Sequence, residues 1–133
     1  MNSEQLLHRD ITHEILGAFY ELHSLLGDGF LEKVYVNGMA VLLRRRGLSV
    51  TREQSFDIVL HDILIGHYRA DLIVESKVIV EVKTGRLIDP VHLAQVGNYM
   101  RASGIHVGLL CNFGPTAEFK RLVRTDGRFK ITA

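Results

Sequence analysis

The segment "VIVEVKTG", residues 78–85, places Glu81 and Lys83 directly after three branched apolar residues. A run with no polar face belongs to a strand covered on both sides, where a charged group is costly to desolvate. Alternation along such a strand sends Glu81 and Lys83 to one face and Val80 and Val82 to the other. Asp71, in "RADLIV", lies ten positions before Glu81 on the preceding apolar run. If the two runs form a hairpin with Glu75-Ser76-Lys77 as its loop, Val74 pairs with Val78 and Asp71 falls opposite Glu81. With Ser76-Lys77 alone as the loop, Asp71 would pair with Val82 and face the wrong side. The chemistry therefore requires the longer loop, or a bulge that restores the parity.

With the parity right, two carboxylates and one ammonium share a patch of a buried sheet. Carboxylates that close repel and raise a pKa unless a cation sits between them. Mg²⁺ takes oxygen ligands at about 2.0–2.1 Å, keeps several waters and needs only one or two protein carboxylates. Such an ion can polarise a phosphoryl oxygen and lower the pKa of a bound water. Lys83 beside it could orient that water or stabilise the charge that builds on the phosphate.

The elements that must position these groups follow from periodicity. Leu7, Ile11, Ile15, Ala18, Phe19, Leu22 and Leu26 recur at helical spacing from Ser3 to Leu26, and Gly27 is a natural stop. After a short "GDG" turn, Leu31, Val34, Tyr35, Val41 and Leu42 mark a second helix from Leu31 to Arg46, closed by Gly47. Beyond Gly47 the segments "LSVTRE", "SFDIVL", "ILIGHYRADLIV" and "KVIVEVK" are rich in β-branched residues and predict a mostly antiparallel meander. "DPVHLAQVGNYMRAS" predicts a helix with Pro90 early and Gly104 after its end, and "IHVGLLCNF" a buried strand. The C-terminus is expected to add one more strand or short helix. The order α-α-β-β-β-β-α-β gives an α/β fold, a central mixed sheet flanked by helices.

Asp71 followed by Glu81-Val82-Lys83 resembles the active-site pattern of the PD-(D/E)XK nuclease superfamily, although Ala70 stands where that pattern has proline. "GFLEKVY", with Gly29, Glu32 and Tyr35, looks like the signature of the GxxExxY protein family within it. "AQVGNY" places Gln95 and Tyr99 in an arrangement similar to the Q-x-x-x-Y element of RecB-like nucleases. The motifs come in the family's order from about Ile11 to Asn112. The resemblance implies a restriction-endonuclease-like core and a Mg²⁺- or Mn²⁺-dependent nuclease acting on nucleic acid, DNA ahead of RNA. It further implies that Asp71 and Glu81 bind the metal, with the Val82 carbonyl as a further ligand and Lys83 as the catalytic cation. Glu32 would approach the same centre as an additional acidic ligand or orienting group. Gln95 would position water or substrate, with Tyr99 supporting it; Gly29 and Tyr35 would serve the turn and the helix–sheet packing.

Plainer readings exist for each residue. Glu81 and Lys83 could form a salt bridge on an exposed edge, Asp71 could end a strand, and Glu32 could be a first-turn acid favoured by the helix dipole. Gln95 could be a solvated helix residue. The seven histidines lack zinc-like spacing, and only His92, a turn before Gln95, lies near the candidate site.

The chain has 133 residues, enough for one domain spanning 1–133, and 47% hydrophobic content excludes disorder. Lys and Arg number 16 against 15 Asp and Glu, so nucleic-acid binding must rest on where charges sit. "RRRG" and the stretch 118–130 are the two basic runs, each either a solvated face or a phosphate-facing patch. Cys111 stands alone in an apolar run, which excludes a disulfide or zinc framework and predicts a buried, reduced core residue. No segment suits a membrane span or a signal peptide, so a cytoplasmic location is the default expectation. Cutting two strands needs two sites, so a homodimer is compatible with this size. Two other functions compete: a binding domain of the same fold that does not cut, and a structural subunit whose buried charges pair with each other.

Overall fold

At Gly47 the computed structural model changes from helices to strands, as the periodicity does. It describes residues 2–3, 7–125 and 128–132. Helix α1 (Arg9–Leu26) and helix α2 (Glu32–Arg45) precede strands β1 (Val50–Leu60), β2 (Ile63–Val74) and β3 (Val78–Lys83). Helix α3 (Pro90–Ser103) then leads to β4 (Val107–Phe113), β5 (Ala117–Thr125) and β6 (Arg128–Thr132). The strands lie side by side in sequence order, antiparallel everywhere except where α3 crosses over to join β3 and β4 in parallel.

The sheet is covered on both faces. Leu72, Val80, Val82, Leu109 and Phe113 pack with Ile15, Phe19, Tyr35 and Met39 of α1 and α2. Ile73, Ile79, Leu110 and Leu122 pack on the other face against Val96, Tyr99 and Met100 of α3. Burying an aliphatic or aromatic side chain of this kind contributes about 1.5–3 kcal/mol, so both layers hold the sheet in place. The α/β class and the flanking helices agree with the sequence expectation.

Three details differ from that expectation. "LSVTRE" and "SFDIVL" form one strand, because the β1–β2 ladder resumes past Glu53: Arg52 pairs with Leu72 and Gln54 with Ala70. Glu53, with φ of 56°, makes an irregularity inside β1 instead of dividing two strands. Among the described residues three strands, not four, therefore precede α3, and three follow it. Ser3 is helical as expected, but a left-handed His8 interrupts the helix and α1 starts at Arg9; residues 4–6 lie outside the described residues. The buried stripe of α2 is Tyr35, Val36, Met39, Ala40 and Leu43, while Leu31, Val34 and Val41 are exposed. Tyr35 sets that rotation: its hydroxyl donates to the Gly27 carbonyl at 2.6 Å, and its ring stacks on Phe113 with centroids 4.3 Å apart.

The α3 signals read as expected. Asp89 caps the helix by accepting from Val91 N–H at 2.9 Å, Pro90 follows, and Gly104 ends it with φ of 76°. Of the basic runs, "RRRG" is largely occupied by structure: Arg46 bonds Glu14 and Glu21 of α1, each at 3.1 Å, and Arg44 donates to the Val50 carbonyl. In the C-terminal run, Arg121 is buried and donates to the Leu7 carbonyl at 2.6 Å. Residues 126–127 of that run lie outside the described residues. Cys111 is fully buried, and burial pushes its thiol up to about 12. Among the described residues no helix is long and apolar enough to cross a membrane.

Candidate active site between the β2–β3 hairpin and α3

Glu75 and Ser76, with φ of 54° and 55°, make the left-handed turn that closes the β2–β3 hairpin. Lys77 N–H donates to the Val74 carbonyl at 3.0 Å, and Val74 pairs with Val78. This is the loop length on which the parity argument depends. Ile79 lies under α3, so Glu81, two residues further along, faces α3 as well. Asp71 bonds across to Glu81 and acts with it on Tyr99 of α3.

The regular ladder between these strands ends at Leu72 and Val80. Beyond it the side chains take the place of backbone carbonyls. Asp71 N–H donates to Glu81 Oε1 at 2.9 Å, and Val82 N–H donates to Asp71 Oδ2 at 2.9 Å. Each carboxyl thus commits one oxygen to the opposing strand.

Glu81 is 3% exposed. Burial pushes its carboxyl up to about 9, and the charge of Asp71 adds to the shift against the opposing pull of the Asp71 N–H and Lys83. Burial raises Asp71 too, opposed by the Val82 N–H, the Glu81 carboxyl and Lys83. The same pair reaches Tyr99 on α3, whose hydroxyl is pushed up to about 12 by burial and then by the charges of Glu81 and Asp71. Two buried carboxyls with raised pKa values disfavour carrying two negative charges at once, and either a proton or a cation relieves that cost.

The donor set fits a hard divalent ion. It consists of oxygens, and each carboxylate keeps an oxygen outside its backbone bond. Among the described residues no three His, Cys, Asp or Glu side chains gather into a closed cage. That suits an ion which retains most of its waters better than one needing full protein coordination.

The remaining sequence candidates take different places. Lys83 is half-buried on the same face, close enough for its charge to act on both acids, yet among the described residues it forms no ion pair. Gln95 is half-buried on α3, one turn before Tyr99, with no side-chain bond to either acid. His92 is half-buried a turn earlier. Glu32 is exposed at the first residue of α2 and does not join Asp71 and Glu81 as a third acid. Its neighbours in the motif are structural: Gly29 turns the chain with φ of 105°, and Tyr35 OH accepts from Phe30 N–H at 3.3 Å.

Two contributors were not legible beforehand. Glu53 adds negative charge that raises Asp71, and it pairs with Arg69 at 2.9 Å and Lys33 at 3.7 Å. Its left-handed backbone inside a strand leaves no signal in composition. Asn112, 1% exposed and paired with Lys83 in the β3–β4 ladder, binds both polar groups of Gly85. Its Oδ1 accepts from Gly85 N–H at 3.1 Å and its Nδ2 donates to the Gly85 carbonyl at 2.8 Å. Gly114 comes so close that an added Cβ would meet that carbonyl. Its own carbonyl lies 2.9 Å from His23 Nε2 of α1. The chain leaving Lys83 is therefore fixed from both sides; the only sequence signal was a polar residue in an otherwise apolar strand.

Comparison with known proteins places this arrangement. The family model described as the PD-(D/E)XK nuclease superfamily matches residues 9–124. A crystal structure of SSO0001 superposes with a TM-score of 0.58 at 18% identity, covering 93% of this chain and 63% of that one. The crystal structure of an alkaline exonuclease, LHK-Exo from Laribacter hongkongensis, gives a TM-score of 0.50 at 15% identity over 65% of this chain and 53% of that one. The chain thus spans less than two thirds of either protein, and both likenesses concern the fold. No curated protein matches the chain.

Proposed function

The chain belongs to the PD-(D/E)XK nuclease superfamily, and from that membership we propose that it hydrolyses phosphodiester bonds of nucleic acid, DNA ahead of RNA, with Mg²⁺ or Mn²⁺. A single domain over 1–133 would carry the activity. Gly29, Glu32 and Tyr35 assign it to the GxxExxY branch, and Gln95 with Tyr99 relates it to RecB-like nucleases.

Asp71 and Glu81 hold the ion, with the Val82 carbonyl as a further ligand. The bound ion supplies the pull on a phosphoryl oxygen and the lowered pKa of a water. Lys83 offsets the negative charge that grows on the phosphate; among the described residues no ion pair holds its ammonium away from that role. Gln95, facing the acids from α3, orients water or substrate. Glu32 acts as an outer acid on the approach to the centre.

The observation that carries this reading is the reciprocal bonding of Asp71 and Glu81, which keeps two acids together against their mutual repulsion. Purified protein with Mg²⁺ or Mn²⁺ should cut DNA, and Glu81→Gln should abolish the cutting. Equal cleavage by wild type and variant would sink the proposal.

The exposed position of Glu32 favours one second reading, a catalytically silent domain that binds nucleic acid or protein. Under it, calorimetry with Mn²⁺ would show no heat, and nucleic-acid affinity would survive loss of both acids.

A further inference from the structure

A cleft of about 420 Å³ opens beside the C-terminal half of α3, lined by Ile58, Tyr68, Asn98, Arg101, Ala102 and Arg124. It lies on the same face of the sheet as the acids. Leu122 packs under α3, so Arg124, two residues further along β5, points to that side. Tyr68 packs with the same cluster and meets the Tyr99 ring edge-on, with centroids 5.0 Å apart. Tyr99 in turn lies within the field of Glu81 and Asp71. A continuous path thus runs from the acids, past the two tyrosines, to the arginines.

The chemistry of this cleft calls for an anion. Among the described residues two guanidinium groups line it and no carboxylate does. The Nε of Arg124 is buried without an acceptor among the described residues. A buried donor without a partner is costly, and an arginine fork suits the oxygens of a phosphate. Tyr68 presents an aromatic surface, and Asn98 both donates and accepts.

We infer that this cleft holds a backbone phosphate of the nucleic-acid strand, away from the bond presented to Asp71 and Glu81. Arg101 and Arg124 grip the phosphate, and Tyr68 offers a stacking surface for an adjacent base. The identity of the strand rests on the proposed nuclease function; the preference for an anion does not.

The test is binding of a short fluorescein-labelled single-stranded DNA oligonucleotide in EDTA, titrated with salt, so that cleavage cannot intrude. The double variant Arg101→Gln/Arg124→Gln should lose roughly tenfold in affinity and flatten the salt slope by about 0.7 or more. Arg101 is exposed, so Arg101→Gln alone should fold and still lose about threefold or more, should Arg124→Gln fail to fold. Unchanged affinity and slope in Arg101→Gln and in a folded double variant would overturn the inference. So would inorganic phosphate binding wild type as tightly as the oligonucleotide, which would mark a free-anion site. Arginine-dependent binding without any cleavage in Mg²⁺ or Mn²⁺ would refute the proposed activity and leave this cleft standing. Cleavage with arginine-independent binding would do the reverse.

Discussion

Asp71 and Glu81 face each other where their strands have stopped exchanging backbone hydrogen bonds, and each carboxyl accepts from the chain of the other strand. The pair is therefore part of the sheet's own bonding as well as a candidate ion site. Removing one member disturbs both.

The first prediction separates these roles. Glu81→Gln keeps an oxygen for the Asp71 N–H and removes the charge, so the variant should fold while activity falls about 10²-fold or more. Glu81→Ala should cost an additional ~1–3 kcal/mol of stability, because Asp71 N–H loses its acceptor. Urea unfolding of the two variants beside wild type reads the difference.

Metal-free stability should fall as pH rises. The folded pKa of Glu81 lies above its ordinary value, so between about 4.5 and about 9 the folded state binds more protons than the unfolded one. Stability is then fully present below the unfolded pKa and is lost as pH climbs through the folded value. Asp71, also raised, acts in the same direction. Thermal melts in EDTA across this range should show the decline, and Glu81→Gln should flatten it.

Divalent ions should reverse that decline. Mn²⁺ at about a hundred times its Kd would add about 2.7 kcal/mol to the folded state. Melting temperature at alkaline pH should rise with Mn²⁺ in wild type and stay level in Asp71→Asn.

Lys83→Met should lower kcat by about 10²-fold while leaving the Mn²⁺ affinity within a few-fold of wild type. A calorimetric titration run beside the nuclease assay distinguishes loss of charge stabilisation from loss of the ion.

Asn112→Ala leaves both polar groups of Gly85 without their partner and should cost about 1–3 kcal/mol. Because Gly85 follows Lys83 closely, kcat should fall more than KM rises. Unchanged kinetics in a folded variant would remove Asn112 from any positioning role.

Much of this was legible from local chemistry. Pro90 and Gly104 announced the bounds of α3, and the apolar run at 107–113 announced β4. The facing of Asp71 and Glu81 followed from counting residues around Glu75-Ser76-Lys77. What escaped depends on long-range packing. The rotation of α2 is set by Tyr35 against Phe113, which no helical period within α2 encodes. Glu53 holds a left-handed backbone in the middle of a ladder, so two expected strands became one continuous strand. Glu32, read through its motif alone, stands apart from the acids because its side chain occupies the open first turn of its helix.

The β2–β3 hairpin has a consequence for the order of assembly. Asp71, Glu81 and Lys83 sit on one short-range unit, whereas α3 and β4 close over them only through the parallel crossover. Local pairings form faster than distant ones, so the charged groups should meet while still wet. Dehydration then comes late, and the final docking of α3 must wait for a proton or a cation to quiet the two acids. Refolding without divalent ions should accordingly slow as the solution is made more alkaline, and added Mn²⁺ should restore its speed.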